Sequence, residues 1–207
     1  MKIGTLGAGE VAQAFAIHLL KVGHEVLLSN SRGPSSLKQL VSKLGNGART
    51  VTMEEAAQAP IVVLAVPWPK VEAVLGQLQD WEGRILIDAT NHFLLPSREL
   101  ADLKGRVSSE IVSELAPSAK VVKALNTLYA SNLARDPKEG NGRRVIFVSG
   151  DDGGAKGEVS GLLRGLGFAV IDLGSLREGG RAQQVGNGLA GVDLVQVGDR
   201  EVRSEQQ

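Results

Sequence analysis

The stretch of this sequence whose residue types and spacing point most directly to chemistry is Gly7-Ala8-Gly9-Glu10-Val11-Ala12. A G-x-G-x-x-A pattern that ends a strand and opens a helix turns backbone N–H groups, and the positive end of the helix dipole, toward a diphosphate. Gly7 suits the tight turn, Gly9 the close approach of the backbone to the phosphates, and Ala12 the close packing of helix on strand. The expected contacts here are Gly7, Ala8, Gly9, Glu10 and Val11. The alternative is a glycine-rich turn with no ligand.

The end of the next strand decides which dinucleotide fits. About 20 residues beyond such a motif, sites for NAD carry an Asp or Glu that accepts from the ribose hydroxyls. Here the chain reads Leu28-Ser29-Asn30-Ser31-Arg32, with no carboxylate. Ser31 and Arg32 offer a hydroxyl and a guanidinium, which suit a 2′-phosphate. Asn30 and Ser36 flank them, and Ser35 and Lys38 stand in the following turn. The reading is therefore NADP(H) rather than NAD(H); the alternative for Arg32 is a solvated loop residue.

Ligands of open α/β sheets lie beyond the carboxyl ends of the strands. That edge holds Ala65-Val66-Pro67-Trp68, expected on the adenosine and ribose side, with Pro67 equally a turn former and Trp68 equally a packing residue. It also holds Ala89-Thr90-Asn91-His92 and Leu125-Asn126-Thr127-Leu128, expected near the nicotinamide. Thr90, Asn91, Ala124 and Asn126 are the cofactor contacts expected there, and Asn126, Thr127 and Leu128 the nicotinamide-side candidates. No side chain is assigned a catalytic role.

Few groups on that edge move protons. His18, His24 and His92 lack metal-ligand spacing. His18 reads as structural, His24 lies away from the ligand edge, and His92 reads equally as a site residue or a solvated loop residue. Asp88 reads as a backbone-bonding residue. No nucleophile motif or proton-transfer pair stands out, which favours hydride transfer to a flavin-like ring, where alignment matters most, over reduction of a carbonyl.

These residues need a scaffold that brings strand ends together. Short apolar runs alternate with helical patterns, the rhythm of βαβ units. Strands are expected over Lys2–Leu6, Glu25–Leu28, Arg49–Val51, Ile61–Ala65, Ile85–Asp88, Val121–Ala124, Val145–Val148 and Phe168–Asp172. Helices are expected over Glu10–Val22, Leu37–Leu44, Val71–Leu78, Ser109–Leu115 and Ala155–Leu166, with a short one after the capping box Thr52-Met53-Glu54-Glu55 and a rigid crossover loop at Pro67-Trp68-Pro69. The fold class is α/β: a Rossmann-type doubly wound, mostly parallel sheet with a small C-terminal α/β extension. Residues 1–207 read as one domain, with a dinucleotide-binding core at 1–128 and an extension at 129–207. Pattern weakens after Gly179, and the polar tail from Gly198 to Gln207 is expected to fray.

Composition agrees. The 26 glycines exceed a usual share of roughly 7%. Lys+Arg and Asp+Glu are both 23, so there is no basic excess for nucleic acid. Without cysteine, disulfides, thiolate zinc sites and a cysteine nucleophile are excluded. The apolar run from Ile61 to Val66 is far too short to cross a membrane, and a soluble cytoplasmic protein is expected.

The sequence resembles the F420-dependent NADP oxidoreductases, and it also looks like the cytosolic reductase domain of the six-transmembrane metalloreductases. The likeness rests on Gly7-Ala8-Gly9, Asn30-Ser31-Arg32, Ala65-Val66-Pro67-Trp68, Val121-Val122-Lys123-Ala124-Leu125-Asn126-Thr127 and Gly150-Asp151-Asp152, and continues through Gly165 to Leu176. It implies NADP(H) as cofactor, Ser31 and Arg32 at its 2′-phosphate, and residues 124–128 under the nicotinamide. It also implies hydride exchange with FMN, FAD or F420 as a small-molecule acceptor. Asn126 departs from the histidine that the deazaflavin enzymes carry. The alternatives are an NADPH-dependent reductase of a small carbonyl or imine, and a non-catalytic NADPH sensor. A homodimer is one expectation, because the site is open on its C-terminal side.

Overall fold

In the computed structural model, residues 1–78 and 80–198 are described; the expected fraying beyond Gly198 lies outside the described residues. The elements in chain order are β1 (Lys2–Leu6), α1 (Glu10–Lys21), β2 (Glu25–Ser29), α2 (Lys38–Leu44), β3 (Ala48–Thr50), α3 (Met53–Ala57), β4 (Ile61–Leu64), α4 (Val71–Gly76), β5 (Ile85–Asp88) and α5 (Ser108–Leu115). They continue with β6 (Lys120–Lys123), α6 (Ala130–Leu133), β7 (Lys138–Glu139), β8 (Gly142–Gly150), α7 (Gly153–Gly165), β9 (Ala169–Asp172), α8 (Gly179–Gln183) and β10 (Val195–Val197).

The first six strands lie in the order β3-β2-β1-β4-β5-β6 and all run parallel. This is the Rossmann arrangement, and the order reverses between β1 and β4. The central strands are apolar because helices cover both faces: all four residues of β4 and of β5 are buried. One face is sealed by α1 through Ala14, Phe15 and Leu19. The other is sealed by α3 and α4 through Ala56, Val71 and Val74.

Two close approaches hold these layers. α3 lies so near β1 that a Cβ at Gly4 would collide with the Ala56 carbonyl. The His18 imidazole, buried in α1, donates to the Leu133 carbonyl of α6 at 2.7 Å and meets Phe168 edge-on. The capping box at Thr52 forms as the sequence implies: Glu55 N–H donates to Thr52 Oγ1 and Thr52 N–H to the Glu55 carboxylate.

The structure corrects several expectations. The Pro67–Pro69 loop continues into a 3-10 turn over Trp68–Lys70, because each proline fixes a φ that suits a tight turn. The following helix stops at Gly76 rather than Leu78. The strand expected at Val145–Val148 extends over nine residues, Gly142–Gly150. It pairs antiparallel with β6, β7 and β10 and parallel with β9. Only Ser149 and Gly150 face β6, opposite Lys123 and Val122. The amino-terminal part of β8 therefore projects beyond the carboxyl end of β6.

α7 carries five glycines, a composition that disfavours an isolated helix. It forms because Asp152 caps it, accepting from Ala155 N–H at 2.7 Å, and because Val159, Leu162 and Leu163 are buried. Gly161 has open space around a would-be Cβ. Two substitutions should thus act in opposite directions in urea denaturation. Gly4→Ala should destabilise by about 1–3 kcal/mol or more through overpacking. Gly161→Ala should stabilise by about 0.5–1 kcal/mol.

Candidate functional site

The site begins at the reversal of strand order. Gly7 leaves β1 with φ +101°, and a Cβ there would strike the Ala65 carbonyl at the end of β4. The turn is pinned from both sides: Gly7 N–H donates to the Ser29 carbonyl at 3.1 Å and Ala65 N–H to the Leu6 carbonyl at 2.8 Å. At Gly9 a Cβ would meet no protein atom, so this turn presents open backbone at the head of α1. Glu10 and Val11 form the first turn of that helix.

A cleft of about 370 Å³ opens here. Gly7, Ala8 and Gly9 form its floor, Asn30, Ser31 and Arg32 come from the end of β2, and Ala65, Val66 and Pro67 from the end of β4. Its volume lies within the range of small-molecule sites. Among the described residues no carboxylate lines it. Arg32 is exposed, and among the described residues its guanidinium has no partner. Arg32 N–H donates to Asn30 Oδ1 at 3.0 Å, and Ser36 Oγ bonds the same oxygen at 3.1 Å. Ser36 thus holds Asn30 in place. Met53, Lys70 and Val74 also line the cleft and were not singled out from the sequence. No local signal marks them; only the packing of α3 and α4 against one face brings them to the cleft.

A larger concavity of about 530 Å³, lined by Lys138, Arg143 and Arg164, lies at the far end of β8. None of the strand ends flanking the order reversal contributes to it, so size alone does not mark the site.

The residues expected near the nicotinamide form a separate buried cluster. Thr90 is turned inward: its N–H and its hydroxyl both donate to Asp88 Oδ1, at 2.9 and 2.7 Å. Ala124 is fully buried. Both therefore shape the edge and present no side chain to the cleft. Asn91 Nδ2 donates to the Asn126 carbonyl at 2.9 Å, and Asn126 Nδ2 donates to Asn91 Oδ1 at 3.2 Å and to the Gln183 carbonyl at 2.8 Å. Gln183 Nε2 in turn donates to Ser149 Oγ at 2.5 Å. Thr127 and Leu128 are buried, and the Thr127 carbonyl accepts from Gly191 N–H at 2.7 Å. The segment around α8 therefore clamps the loop after β6. Within the cluster Asn126 Oδ1 and Gln183 Oε1 are buried acceptors without a donor.

Beneath it lies an ion pair. Lys123 Nζ, at the end of β6, donates to Asp88 Oδ2 at 2.9 Å and to the Thr90 carbonyl at 2.6 Å, and both charged side chains are fully buried. Asp88 takes the backbone role that the sequence implies, accepting from Thr90 N–H, and adds the ion pair to it. That pairing depends on β5 and β6 being neighbours.

His92 is buried, not solvated. It packs edge-on to Trp68 at 6.4 Å, and its Nδ1 has no partner. Burial, and secondarily the Lys123 ammonium, hold its pKa below the ordinary histidine value. Burial likewise lowers that of His18, against the opposing hydrogen bond to Leu133. Trp68 packs with the α3–α4 layer. Among the described residues no three His, Asp or Glu side chains gather to hold a metal, and no helix is long and apolar enough to cross a membrane.

Comparison with known proteins gives concordant results. The family described as NADP oxidoreductase, coenzyme F420-dependent, matches residues 2–92. A crystal structure of a hypothetical protein from Sinorhizobium meliloti is 42% identical, with TM-score 0.89 over 95% of this chain and 96% of that one. A structure from Arthrobacter sp. FB24, provisionally designated an F420-dependent NADP reductase, is 30% identical, with TM-score 0.75 over 88% of this chain and 89% of that one. Metalloreductase STEAP3 of Rattus norvegicus is 32% identical over 176 residues, 84% of this chain. The match takes in 34% of STEAP3, so the chain spans about a third of that relative.

Two outcomes follow for stability. Lys123→Met leaves Asp88 charged and unpaired, and should cost about 3–5 kcal/mol in urea denaturation, while Asp88→Asn/Lys123→Met together should cost clearly less. Equal stability of Lys123→Met and the native protein would contradict the buried pair. Second, the unfolded chain protonates its histidines near 6.5, whereas folded His18 and His92 resist protonation until lower pH. Their contribution is complete above 6.5 and is lost as the pH falls through 6.5 toward the depressed folded values. Urea midpoints should therefore drop on acidification across this window, and less steeply in His92→Gln.

Proposed function

The chain belongs to the family of coenzyme F420-dependent NADP oxidoreductases, and on that premise we propose that its cleft holds NADP(H) and that hydride passes between the nicotinamide and a flavin or deazaflavin ring at the ends of β5 and β6. One observation carries the nucleotide assignment. The cleft joins a bare glycine turn at the head of α1 to a guanidinium that, among the described residues, has no partner and no carboxylate beside it on the lining. Exposed N–H groups at a helix start favour a diphosphate, and the guanidinium favours a further phosphate. NADP(H), when bound, supplies the transferable hydride.

The chain's own residues bind and align. Ser31 and Arg32 hold the 2′-phosphate end, and the Gly7–Gly9 turn holds the diphosphate. The Asn91–Asn126 pair fixes the two loops between which the nicotinamide lies, and the buried Leu125 and Leu128 keep the loop after β6 dry. The acceptor assignment rests on family membership together with the state of the ionisable groups at this edge, where Asp88 and Lys123 are tied to each other and His92 is buried. A second copy of the chain closing the acceptor side belongs to the same reading, and sedimentation tests it.

Calorimetric titration should show NADPH binding more tightly than NADH. Arg32→Ala should weaken NADPH about tenfold and leave NADH nearly unchanged. Stopped-flow mixing of the NADPH complex with FMN, FAD and F420 should give oxidation with one of these rings. Equal affinity of the native protein for NADH and NADPH would remove the NADP assignment. Turnover only with carbonyls or imines would replace the acceptor, and tight binding with no oxidation would make the protein a sensor.

A further inference from the structure

We infer that Lys70 is a second specificity-determining cation, meeting the 2′-phosphate from the wall opposite Arg32. This rests on the NADP(H) reading and adds a residue that the nucleotide motif does not contain. Arg32 reaches the cleft from the end of β2, whereas Lys70 reaches it from the 3-10 turn that follows β4 and leads into α4. The two cations therefore arrive from different elements of the same cavity. Both are exposed, and among the described residues neither side chain has a hydrogen bond or ion pair of its own. Among the described residues no carboxylate lines the cleft to neutralise them. Two unpaired cations in one small cleft repel each other and favour a dianion between them.

Which phosphate Lys70 serves follows from the layers. The helix start that faces a diphosphate belongs to α1, on one side of the sheet. Lys70 enters α4 on the other side, where Met53 and Val74 share the cleft lining with it. Val74 lies one helical turn beyond Lys70 and gives the same wall an apolar stretch, which suits an adenine face. The cation beside an apolar wall thus marks the adenosine end of the cleft, where NADP carries its extra phosphate. The turn geometry assists: Pro67 and Pro69 fix the backbone, and Lys70 N–H donates to the Pro67 carbonyl at 2.8 Å, so the base of the side chain is held.

The test is calorimetric titration of native, Lys70→Met, Lys70→Arg and Arg32→Met proteins with NADPH, NADH and 2′,5′-ADP. Lys70→Met should weaken NADPH and 2′,5′-ADP about tenfold and NADH less than about twofold, while Lys70→Arg should bind much as native does. The loss should be larger at low ionic strength. Lys70 is exposed, so an unchanged thermal midpoint is expected and verifies folding. Equal weakening of NADH and NADPH would place Lys70 at the diphosphate, and no change with either would place it in solvent; each result overturns the inference while NADPH preference, and the proposed function, stand. A native protein that binds NADH and NADPH alike would sink both readings.

Discussion

The cleft depends on one steric constraint, the contact between the backbone at Gly7 and the carbonyl of Ala65. Two neighbouring parallel strands, β1 and β4, send their connections to opposite faces of the sheet, and this divergence opens the crevice. The crevice stays narrow because the turn after β1 lies directly on the end of β4, which requires a residue with φ +101° and no Cβ. Any side chain there would part the strands and displace the start of α1. The helix dipole, the open backbone at Gly9 and the position of Arg32 relative to both follow from that contact. Gly4 repeats the device three residues earlier, within β1, where the α3 backbone lies on the strand. The N-terminal half is thus built on backbone-to-backbone approaches, which explains how a chain with 3% aromatic residues still packs a dense interior.

Much of this was legible in the sequence, because it depends on local signals. Strand–turn–helix with two glycines, apolar runs of strand length, and a capping box each constrain a few adjacent residues, and each appears where the pattern placed it. What was not legible depends on neighbours distant in sequence. Met53 and Lys70 reach the cleft only because α3 and α4 cover the same face. Gln183 lies in a glycine-rich stretch with little periodicity, yet it is fully buried because Gly179 and Gly180 let α8 settle against Ser149 and Ser109. His92 reads from the sequence equally as a site residue or a solvated loop residue, since nothing local announces the Trp68 ring against it. The 3-10 turn at Trp68–Lys70 was masked by two prolines that read equally as an irregular loop.

The Lys123–Asp88 pair deserves a reading beyond stability. Burying two charges is costly, and a well-packed apolar pair in their place is often no less stable. What the pair adds is alignment. The buried positions of β5 and β6 are otherwise interchangeable aliphatic residues, so neighbouring registers would bury similar area. A slip by one residue would turn one charge to the opposite face and leave both unpaired in the interior. The observed register sets Asp88 opposite Lys123, and the ammonium also ties down the Thr90 carbonyl, so strand register and the loop that carries Asn91 are fixed together.

The direction of β8 has a consequence for how such a protein diversifies. Because the strand runs against β6 and overshoots it, β7, β9 and β10 pair with β8 and not with the strands that end at the crevice. Insertions or deletions in the connection between β9 and β10, which carries Gln183 and Gly191, would act on the loop after β6 and leave the Gly7–Ala65 contact as it is. The two ends of the edge can therefore vary separately, the β6 end through the segment around α8 and the β1 end through the glycine turn.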